Sequence, residues 1–218
     1  AVKALKPRIK VIGVESVATG NFAAAIKSGK PGRVPRRATL ADGLATLTVG
    51  AQAFELARSR VDEVVAVGED AIALAILRML ELEKTVVEGA AAVPLAAMMA
   101  GKLPRLAGKR VALVVCGGNI DPAILGRVIE KGLVHDGRLT RFTAVISDRP
   151  GGLARFASIL ADEGASVRNV EHDRAFAGDD VSKVMVHCVI ETRDAAHIAR
   201  VRERLVKEGF PIVRGDET

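Results

Sequence analysis

The sequence contains no Trp, no Tyr and only six Phe among its 218 residues. Proteins that bind single-stranded nucleic acid stack the bases on aromatic side chains, so this composition argues against a nucleic-acid partner. The net charge of +6 does not overturn that argument, because the excess is local: residues 1–37 hold nine Lys or Arg and one acid. We interpret this basic stretch as a solvated surface.

Cysteine is equally scarce, and long apolar runs are absent. Cys116 and Cys188 lie 72 positions apart, which supports neither a disulfide framework nor a zinc cage and suits a reducing compartment. No apolar run approaches the roughly 18 residues of a membrane span, and the N-terminus lacks the apolar stretch of a signal peptide. The sequence therefore predicts a globular, cytoplasmic protein without a membrane partner.

Residues 8–137 alternate short β-rich runs with helical patterns, which is typical of a parallel sheet with helices on its faces. The predicted strands span residues 9–14, 61–67, 85–87 and 110–115, and the predicted helices span residues 21–27, 49–59, 69–83, 89–100 and 122–135. Residues 28–48 show no clear period and predict a long loop, which in a compact domain is usually functional or mobile.

From residue 137 the order changes to strand, helix, two strands, helix and strand over about 80 residues, which is typical of a ferredoxin-like fold. Its first helix is predicted to carry one apolar face with Leu153, Phe156, Ala157 and Leu160. A hairpin is predicted at residues 176–180. The fold class is therefore α/β with two domains, residues 1–137 and 138–218, and the open sheet face of the second is expected to be covered by another copy or by the first domain.

The most informative motif is Cys116-Gly-Gly-Asn119, which follows the apolar run at residues 110–115. Behind it, Asp121 is suited to cap a helix that has Pro122 in its first position. In open α/β sheets ligands bind beyond the carboxyl ends of the strands, so Cys116 lies where a ligand site is expected. The alternative is that Cys116 is a small buried apolar residue before a tight turn.

Two carboxylates also follow predicted strands. Glu88 ends a short apolar run and precedes small residues, where a carboxylate must find a partner, although an acid at a helix N-terminus is the alternative. Glu15 ends the first strand, and Thr19 follows closely. Oxygen ligands at this spacing can hold a hard cation, although a lone Glu at a strand end also serves as a cap.

Four motifs together resemble the C-terminal half of the pyridoxal phosphate-dependent threonine dehydratases, which are relatives of serine racemase. They are Val-Ile-Gly-Val-Glu15, Thr39-Leu-Ala-Asp-Gly43, Val-Val-Glu88-Gly-Ala and Val-Val-Cys116-Gly-Gly-Asn-Ile-Asp121, in that order. The resemblance covers residues 1–135 and implies part of the parallel-sheet domain of fold type II of these enzymes. Residues 138–214 resemble an ACT domain, the amino-acid-sensing module often attached to them.

The resemblance implies roles for individual residues. Those facing the cofactor are Cys116, Gly117, Gly118, Asn119, Glu88 and Gly43. Cys116 would meet the pyridine nitrogen, and a neutral thiol there cannot hold the nitrogen protonated as an Asp would, which favours β-elimination over transamination. Glu15 and the backbone carbonyl of Thr19 match the family's site for a monovalent or divalent cation, where Asn21 replaces a further acid.

In the part similar to an ACT domain, the implied effector residues are Asp148, Gly151, Gly152, Leu153 and Asn169. Backbone amides at the Gly pair would receive the carboxylate of an amino acid, isoleucine or valine, and Asn169 would contact the ligand across the interface of a homodimer or tetramer. An ACT-like domain that only dimerises is the alternative.

The family's Schiff-base Lys, its Ser-x-Gly-Asn-His substrate loop and its Gly-rich phosphate cradle would precede residue 1, so this segment is expected to hold no catalytic residue and to be inactive alone. We therefore expect the C-terminal part of a threonine ammonia-lyase of isoleucine biosynthesis. With its N-terminal remainder it would convert L-threonine, or L-serine as the open alternative, to the 2-oxo acid and ammonia. The rival interpretation is a non-catalytic regulatory or dimerisation protein that contains an ACT domain.

Overall fold

The computed structural model describes residues 1–35, 37–174 and 180–215, and it divides into two compact units, Ala1–Gly132 and Leu133–Thr218. Each unit has its own cluster of buried apolar side chains. No helix in the described ranges is long and apolar enough to cross a bilayer.

The first unit is built on a parallel pair of strands, β1 (Ile12–Ser16) and β2 (Glu63–Val67). Its helices are α1 (Val2–Leu5), α2 (Asn21–Ser28), α3 (Ala51–Ala57), α4 (Glu69–Leu82), α5 (Gly89–Met99) and α6 (Pro122–His135). The division between the two units falls within α6. The predicted helices from α2 onward are thus confirmed to within two residues at each end. The predicted loop at residues 28–48 contains a short 3-10 helix, Asp42–Leu44, in its described part.

Two of the predicted strands are wrong. Residues 85–87 and 110–115 have no regular secondary structure. Their β-branched composition favours an extended backbone, but a strand forms only where a neighbour accepts and donates its ladder of hydrogen bonds. The parallel sheet of the first unit holds β1 and β2, and residues 111–119 are exposed, with Val114 at 73%.

The core of the first unit lies between α4, α5 and the sheet. α4 begins with Glu69 and buries Ile72 and Ile76, as its apolar first turns predict. α5 consists mainly of Ala and other small residues, and it packs against α4, both strands and the 3-10 helix. Small side chains let these backbones approach closely, which brings the first turn of α5 to the end of the sheet.

The second unit has four strands, β3 (Leu139–Ser147), β4 (Ser166–Asp173), β5 (Lys183–Glu191) and β6 (Ile212–Gly215), and two helices, α7 (Gly152–Asp162) and α8 (Ala195–Lys207). The sheet order is β4-β5-β3-β6 with antiparallel neighbours. This order confirms the ferredoxin-like prediction. Residues 176–179 of the predicted hairpin lie outside the described residues.

The apolar face of α7 differs from the prediction at two positions. Phe156, Ile159 and Leu160 are buried, whereas Leu153 is 40% exposed and Ala157 is also exposed. Because the buried face includes Ile159, its centre is rotated around the helix from the predicted one. Leu153 and Ala157 then lie at the margin of the buried face. The buried rings are continuous, because Phe156 packs against both Phe142 and Phe210.

Candidate functional sites

The carboxyl ends of β1 and β2 bring several loops of the first unit to one edge of the sheet. The strands are parallel and end in register, with Ser16 beside Val67. The chain then enters α2 after β1 and α4 after β2, and α5 packs against the same strands. This is the edge at which open α/β sheets bind ligands.

Glu88 and the glycine turn at residues 117–118 are in direct contact. The backbone amide of Glu88 donates a hydrogen bond to the Gly117 carbonyl at 3.2 Å, and its carboxylate accepts one from the Asn119 amide at 3.2 Å. Gly117 has φ +128°, and a Cβ on it would overlap the Glu88 carboxylate. A residue with a side chain at position 117 would therefore displace Glu88 as well as strain the backbone.

Gly43, Gly118 and Cys116 surround this contact. A Cβ on Gly43 would lie 3.1 Å from Ala90 Cβ and 3.7 Å from a carboxylate oxygen of Glu88. A Cβ on Gly118 would lie 3.1 Å from the Val86 carbonyl oxygen. Cys116 is a free, exposed thiol immediately before the turn, so the alternative that it is buried among apolar side chains is wrong.

The structure thus brings the sequence-predicted residues around Glu88 into one place. Gly43 comes from the long loop, Glu88 from the start of α5, and Gly117 and Asn119 from the turn before α6. Of these residues, Glu88 and Asn119 line a cleft of about 600 Å³ together with residues of the long loop, whereas Gly43, Cys116, Gly117 and Gly118 lie outside its lining. Glu88 is also the N-cap residue of α5 but makes no capping hydrogen bond with its side chain, so its carboxylate serves the turn.

Glu69 joins the same cleft, and sequence reasoning missed it. Its Oε1 atom accepts hydrogen bonds from the Ser16 hydroxyl at 3.0 Å and from the Thr39 hydroxyl at 2.6 Å. Its Oε2 atom accepts one from the Leu40 amide at 2.6 Å. The sequence showed only an acid at a helix start, and the one available signal was its place directly after a strand at the ligand-binding edge.

Gly89 is a second residue that the sequence did not single out. A Cβ on it would overlap the Leu40 carbonyl oxygen, and the Ala41 nitrogen would lie within 2.8 Å. Glycine at position 89 is therefore what lets the long loop lie directly against the first turn of α5.

Glu15 acts as a helix cap. Its two carboxylate oxygens accept hydrogen bonds from the amides of Phe22 and Ala23 at 2.8 and 2.9 Å, at the N-terminus of α2. The Thr19 hydroxyl donates to the Ser16 carbonyl, and the Asn21 side chain donates to Thr46. Over the described ranges, no group of three or more His, Cys, Asp or Glu side chains is placed to hold a metal ion.

In the second unit, the predicted effector loop leads from β3 into α7. Gly151 has φ +92° and is the N-cap of α7, whose end has no side-chain cap, and a Cβ on Gly152 would overlap the Ser147 carbonyl oxygen. The Gly152 amide already donates to the Arg149 carbonyl at 3.0 Å. The other amides of the first turn have no partners within the helix and can receive a carboxylate.

Asp148 of this loop already has a cationic partner. The Arg174 Nε donates to its Oδ2 atom at 2.8 Å, and His172 Nε2 lies 3.7 Å from its Oδ1 atom. The Arg174 guanidinium holds the pKa of the Asp148 carboxyl below its usual range, and the carboxylate raises the pKa of Arg174. Both partners come from the end of β4 and the residue just after it.

Asn169 is not brought to this loop within one chain. It pairs with Val189 of β5, which pairs with Arg141 of β3. Arg141 lies seven residues before Asp148, which corresponds to roughly 23 Å along a strand. On β4, Asn169 lies three residues before His172, whose ring is near Asp148, and no contact joins Asn169 itself to the described residues of the loop.

Family models match both parts of the chain. The model of pyridoxal-phosphate dependent enzymes matches residues 1–117, and the model of the ACT domain matches residues 142–207. The chain belongs to the pyridoxal-phosphate dependent enzyme family. The four motifs and the fold type that they implied are confirmed, and so is the ACT domain that follows them.

Known relatives carry consistent names. L-threonine ammonia-lyases of Thermotoga maritima and Geobacter sulfurreducens are each 40% identical, over 97% and 96% of this chain and 52% of their own length. A solved serine racemase from maize is 29% identical with a TM-score of 0.53, over 62% of this chain and 42% of that one. The chain thus spans about half the length of the curated relatives that it matches.

The residues at the glycine turn fit the family's cofactor. The turn carries no side chains at Gly117 and Gly118, and Cys116 beside it is a free, exposed thiol. Glu88 is held by the Asn119 amide next to this surface. The Cβ space of Gly117 is taken by the Glu88 carboxylate and that of Gly118 lies against the Val86 carbonyl, so the group left to meet a flat heterocycle with one ring nitrogen is the exposed Cys116 thiol beside the turn.

Proposed function

We propose that this chain is the C-terminal part of a threonine ammonia-lyase, a pyridoxal phosphate enzyme that converts L-threonine to 2-oxobutanoate and ammonia by β-elimination. The observation that carries the proposal is the contact of Glu88 with the glycine turn beside the exposed Cys116 thiol. The names of the Thermotoga and Geobacter relatives support the substrate.

Pyridoxal phosphate supplies, when bound, an electron sink that makes bonds at the amino acid's α-carbon easier to break. In this proposal the Cys116 thiol would donate a hydrogen bond to the pyridine nitrogen, which would then stay unprotonated. Glu88 holds the turn through the Asn119 amide and would thereby fix the backbone that borders the bound cofactor. Gly43 contributes backbone because its Cβ space is taken by Ala90.

The group that removes the α-proton and the donors that bind the phosphate belong, in this proposal, to an N-terminal remainder of the enzyme. The proposal rests on the family resemblance and on the length of the relatives, of which this chain matches about half. The 218 residues alone are then inactive, and the boundary between the cofactor domain and the ACT domain is proposed at residues 137 and 138.

The activity is tested on the product of the entire reading frame that contains these residues. We expect a yellow protein with the visible absorbance of bound pyridoxal phosphate, which releases 2-oxobutanoate and ammonia from L-threonine, with L-serine as the comparison substrate. Cys116→Ala should change the absorbance of the bound cofactor and lower kcat, whereas Val114→Ala, at an exposed neighbouring position, should change neither. A colourless and inert protein overturns the proposal.

The second unit is proposed to bind a branched-chain amino acid, isoleucine or valine, at the loop with Asp148, Gly151, Gly152 and Leu153, with Asn169 supplied by the partner in a dimer or tetramer. The N-terminus of α7, which has no side-chain cap, supports a carboxylate there, and the partner's contribution of Asn169 rests on the resemblance to an ACT domain. Binding would shift the balance between active and inactive assemblies.

Calorimetric titration of the 218-residue chain with isoleucine, valine and serine tests this binding, and sedimentation in each ligand reports the assembly. We expect heat from isoleucine or valine and a change of oligomeric state. No heat from any of the three supports the rival view that the unit only dimerises.

Only the family resemblance supports the proposal of a monovalent or divalent cation at Glu15 and Thr19. The α2 amides use one acceptor position on each Glu15 oxygen, which leaves further lone pairs for an ion. Thermal unfolding of the chain with K⁺, Mg²⁺ or Ca²⁺ tests it: a shift that Glu15→Gln abolishes supports the site, and no shift with any ion rejects it.

A further inference from the structure

We propose that Glu69 is a positioning residue for the proposed cofactor face of the first unit, by which we mean Gly43, Glu88 and the turn at residues 116–119. Glu69 fixes residues 39–43 against the start of α5. The positioning role rests on the proposed function, whereas the hydrogen bonds of Glu69 are observed in the structure itself. Three stretches that are distant in sequence meet at the Glu69 carboxylate, namely the end of β1, the long loop and the start of α4.

The Glu69 carboxylate accepts three hydrogen bonds. One oxygen receives the hydroxyls of Ser16 and Thr39, and the other receives the Leu40 amide at 2.6 Å. The hydroxyls are themselves oriented, because Ser16 Oγ accepts from the Ala18 amide and Thr39 Oγ1 from the Ala41 amide. An ionised carboxylate accepts such bonds more strongly than a neutral group does.

The held segment is pressed onto α5 from the other side. The Leu40 carbonyl lies where Gly89 would carry a Cβ, and Gly43 lies against Ala90 and near the Glu88 carboxylate. Residues 39–43 are therefore clamped between Glu69 and residues 88–90. Any movement of Leu40 changes the space that Gly43 leaves beside Glu88.

The position of this clamp within the loop explains why it is needed. Residues 28–48 contain one short 3-10 helix in their described part, so few backbone hydrogen bonds hold the middle of the loop. A hydrogen bond between the Val34 amide and the Leu47 carbonyl closes its two ends. Glu69 binds residues 39 and 40, which lie between those ends. Backbone motion at this point of the loop would move Gly43 relative to Glu88.

Amide hydrogen exchange of the 218-residue chain tests the clamp without any cofactor. Thr39→Val removes one hydroxyl at nearly constant shape, and Glu69→Gln keeps one acceptor oxygen for the Leu40 amide. Thr39→Val also removes the acceptor of the Ala41 amide, so that amide is left out of the comparison. We expect Thr39→Val to speed exchange of the remaining amides of residues 39–43 and 88–90 by about tenfold, which corresponds to the loss of one hydrogen bond to a charged group. The exchange of these amides should increase less in Glu69→Gln than in Thr39→Val, and more in Glu69→Leu than in Thr39→Val. Glu83→Leu, on the exposed end of the same helix, is the control and should leave these amides unchanged.

The distribution of the effect separates positioning from general stability. Faster exchange confined to residues 39–43 and 88–90, with partial rescue in Glu69→Gln relative to Glu69→Leu, supports the proposal. Unchanged exchange in Thr39→Val and Glu69→Gln, or a uniform increase over the whole first unit, overturns it.

A second measurement distinguishes this inference from the proposed function. In the product of the entire reading frame, Thr39→Val should weaken binding of pyridoxal phosphate and shift the absorbance of the bound cofactor. If the wild-type protein binds no pyridoxal phosphate, the proposed function fails while the exchange result still decides the clamp. If the wild type binds it and Thr39→Val binds it identically, the positioning role is overturned and the proposed function stands.

Discussion

The Glu88 carboxylate occupies the space in which residue 117 would carry a Cβ atom. The two residues are also joined through the backbone, from the Glu88 amide to the Gly117 carbonyl. Because Glu88 stands at the start of α5 and Gly117 in the turn before α6, this contact fastens two segments that the helix pattern alone leaves apart. It makes glycine at position 117 a requirement of the site.

Gly117→Ala should therefore destabilise the chain by about 1–3 kcal/mol, because alanine is strained at this φ and collides with Glu88. Chemical denaturation measures the change. Gly126→Ala in α6 is the matched control: a Cβ there meets nothing within 4 Å, so we expect a gain of about 0.5–1 kcal/mol from helix propensity. Equal effects of the two substitutions would contradict the contact.

The two cysteines should differ sharply in reactivity. Cys116 is exposed, whereas Cys188 is fully buried in the sheet and burial raises the pKa of its thiol to about 11. The thiolate is the reactive form, so iodoacetamide at pH 8 should label Cys116 alone in the folded chain. Mass spectrometry of the peptides measures the labelling. In the product of the entire reading frame, bound pyridoxal phosphate should protect Cys116, and unprotected labelling there would argue against its place beside the ring.

Arg174 should compete with the effector for Asp148. It donates to the Asp148 carboxylate in the absence of ligand, and an amino acid's ammonium group would have to replace it there. Arg174→Gln should therefore tighten binding of isoleucine or valine by a fewfold, as measured by calorimetry. Arg193→Gln, at an exposed position before α8, is the control. Weaker binding in Arg174→Gln would show that the guanidinium contacts the ligand instead.

Acid should weaken the first unit through Asp62. Lys3, the Val11 amide and Lys10 hold the pKa of this carboxyl below its ordinary value of 3.8. A depressed pKa means that Asp62 contributes stability in full above pH 3.8 and loses it as the pH falls through the lower value of the folded state. Asp62→Asn should flatten this part of the stability curve, measured by denaturation between pH 5 and 2. An unchanged slope would show that these contacts are absent in solution.

Local sequence patterns predicted most of the helices because each carries its own signals. α6 begins at Pro122 behind Asp121, whose carboxylate does accept the Ala123 amide at 2.7 Å. The predicted strands at residues 85–87 and 110–115 are wrong, because composition shows the β propensity of a segment and not whether a neighbouring strand is present to pair with it. The exposure of Leu153 likewise depended on which stripe of α7 met the sheet.

The sequence by itself determined the family, the ferredoxin-like order of the second unit and the residues of the glycine turn, because motifs and periodicity are properties of short stretches of chain. Tertiary structure alone decided that Glu69 binds Thr39 and Leu40, that Gly89 receives the Leu40 carbonyl and that Arg174 pairs with Asp148. These contacts join residues about 25 to 50 positions apart, and a local pattern carries no information about which distant donor will meet a given carboxylate.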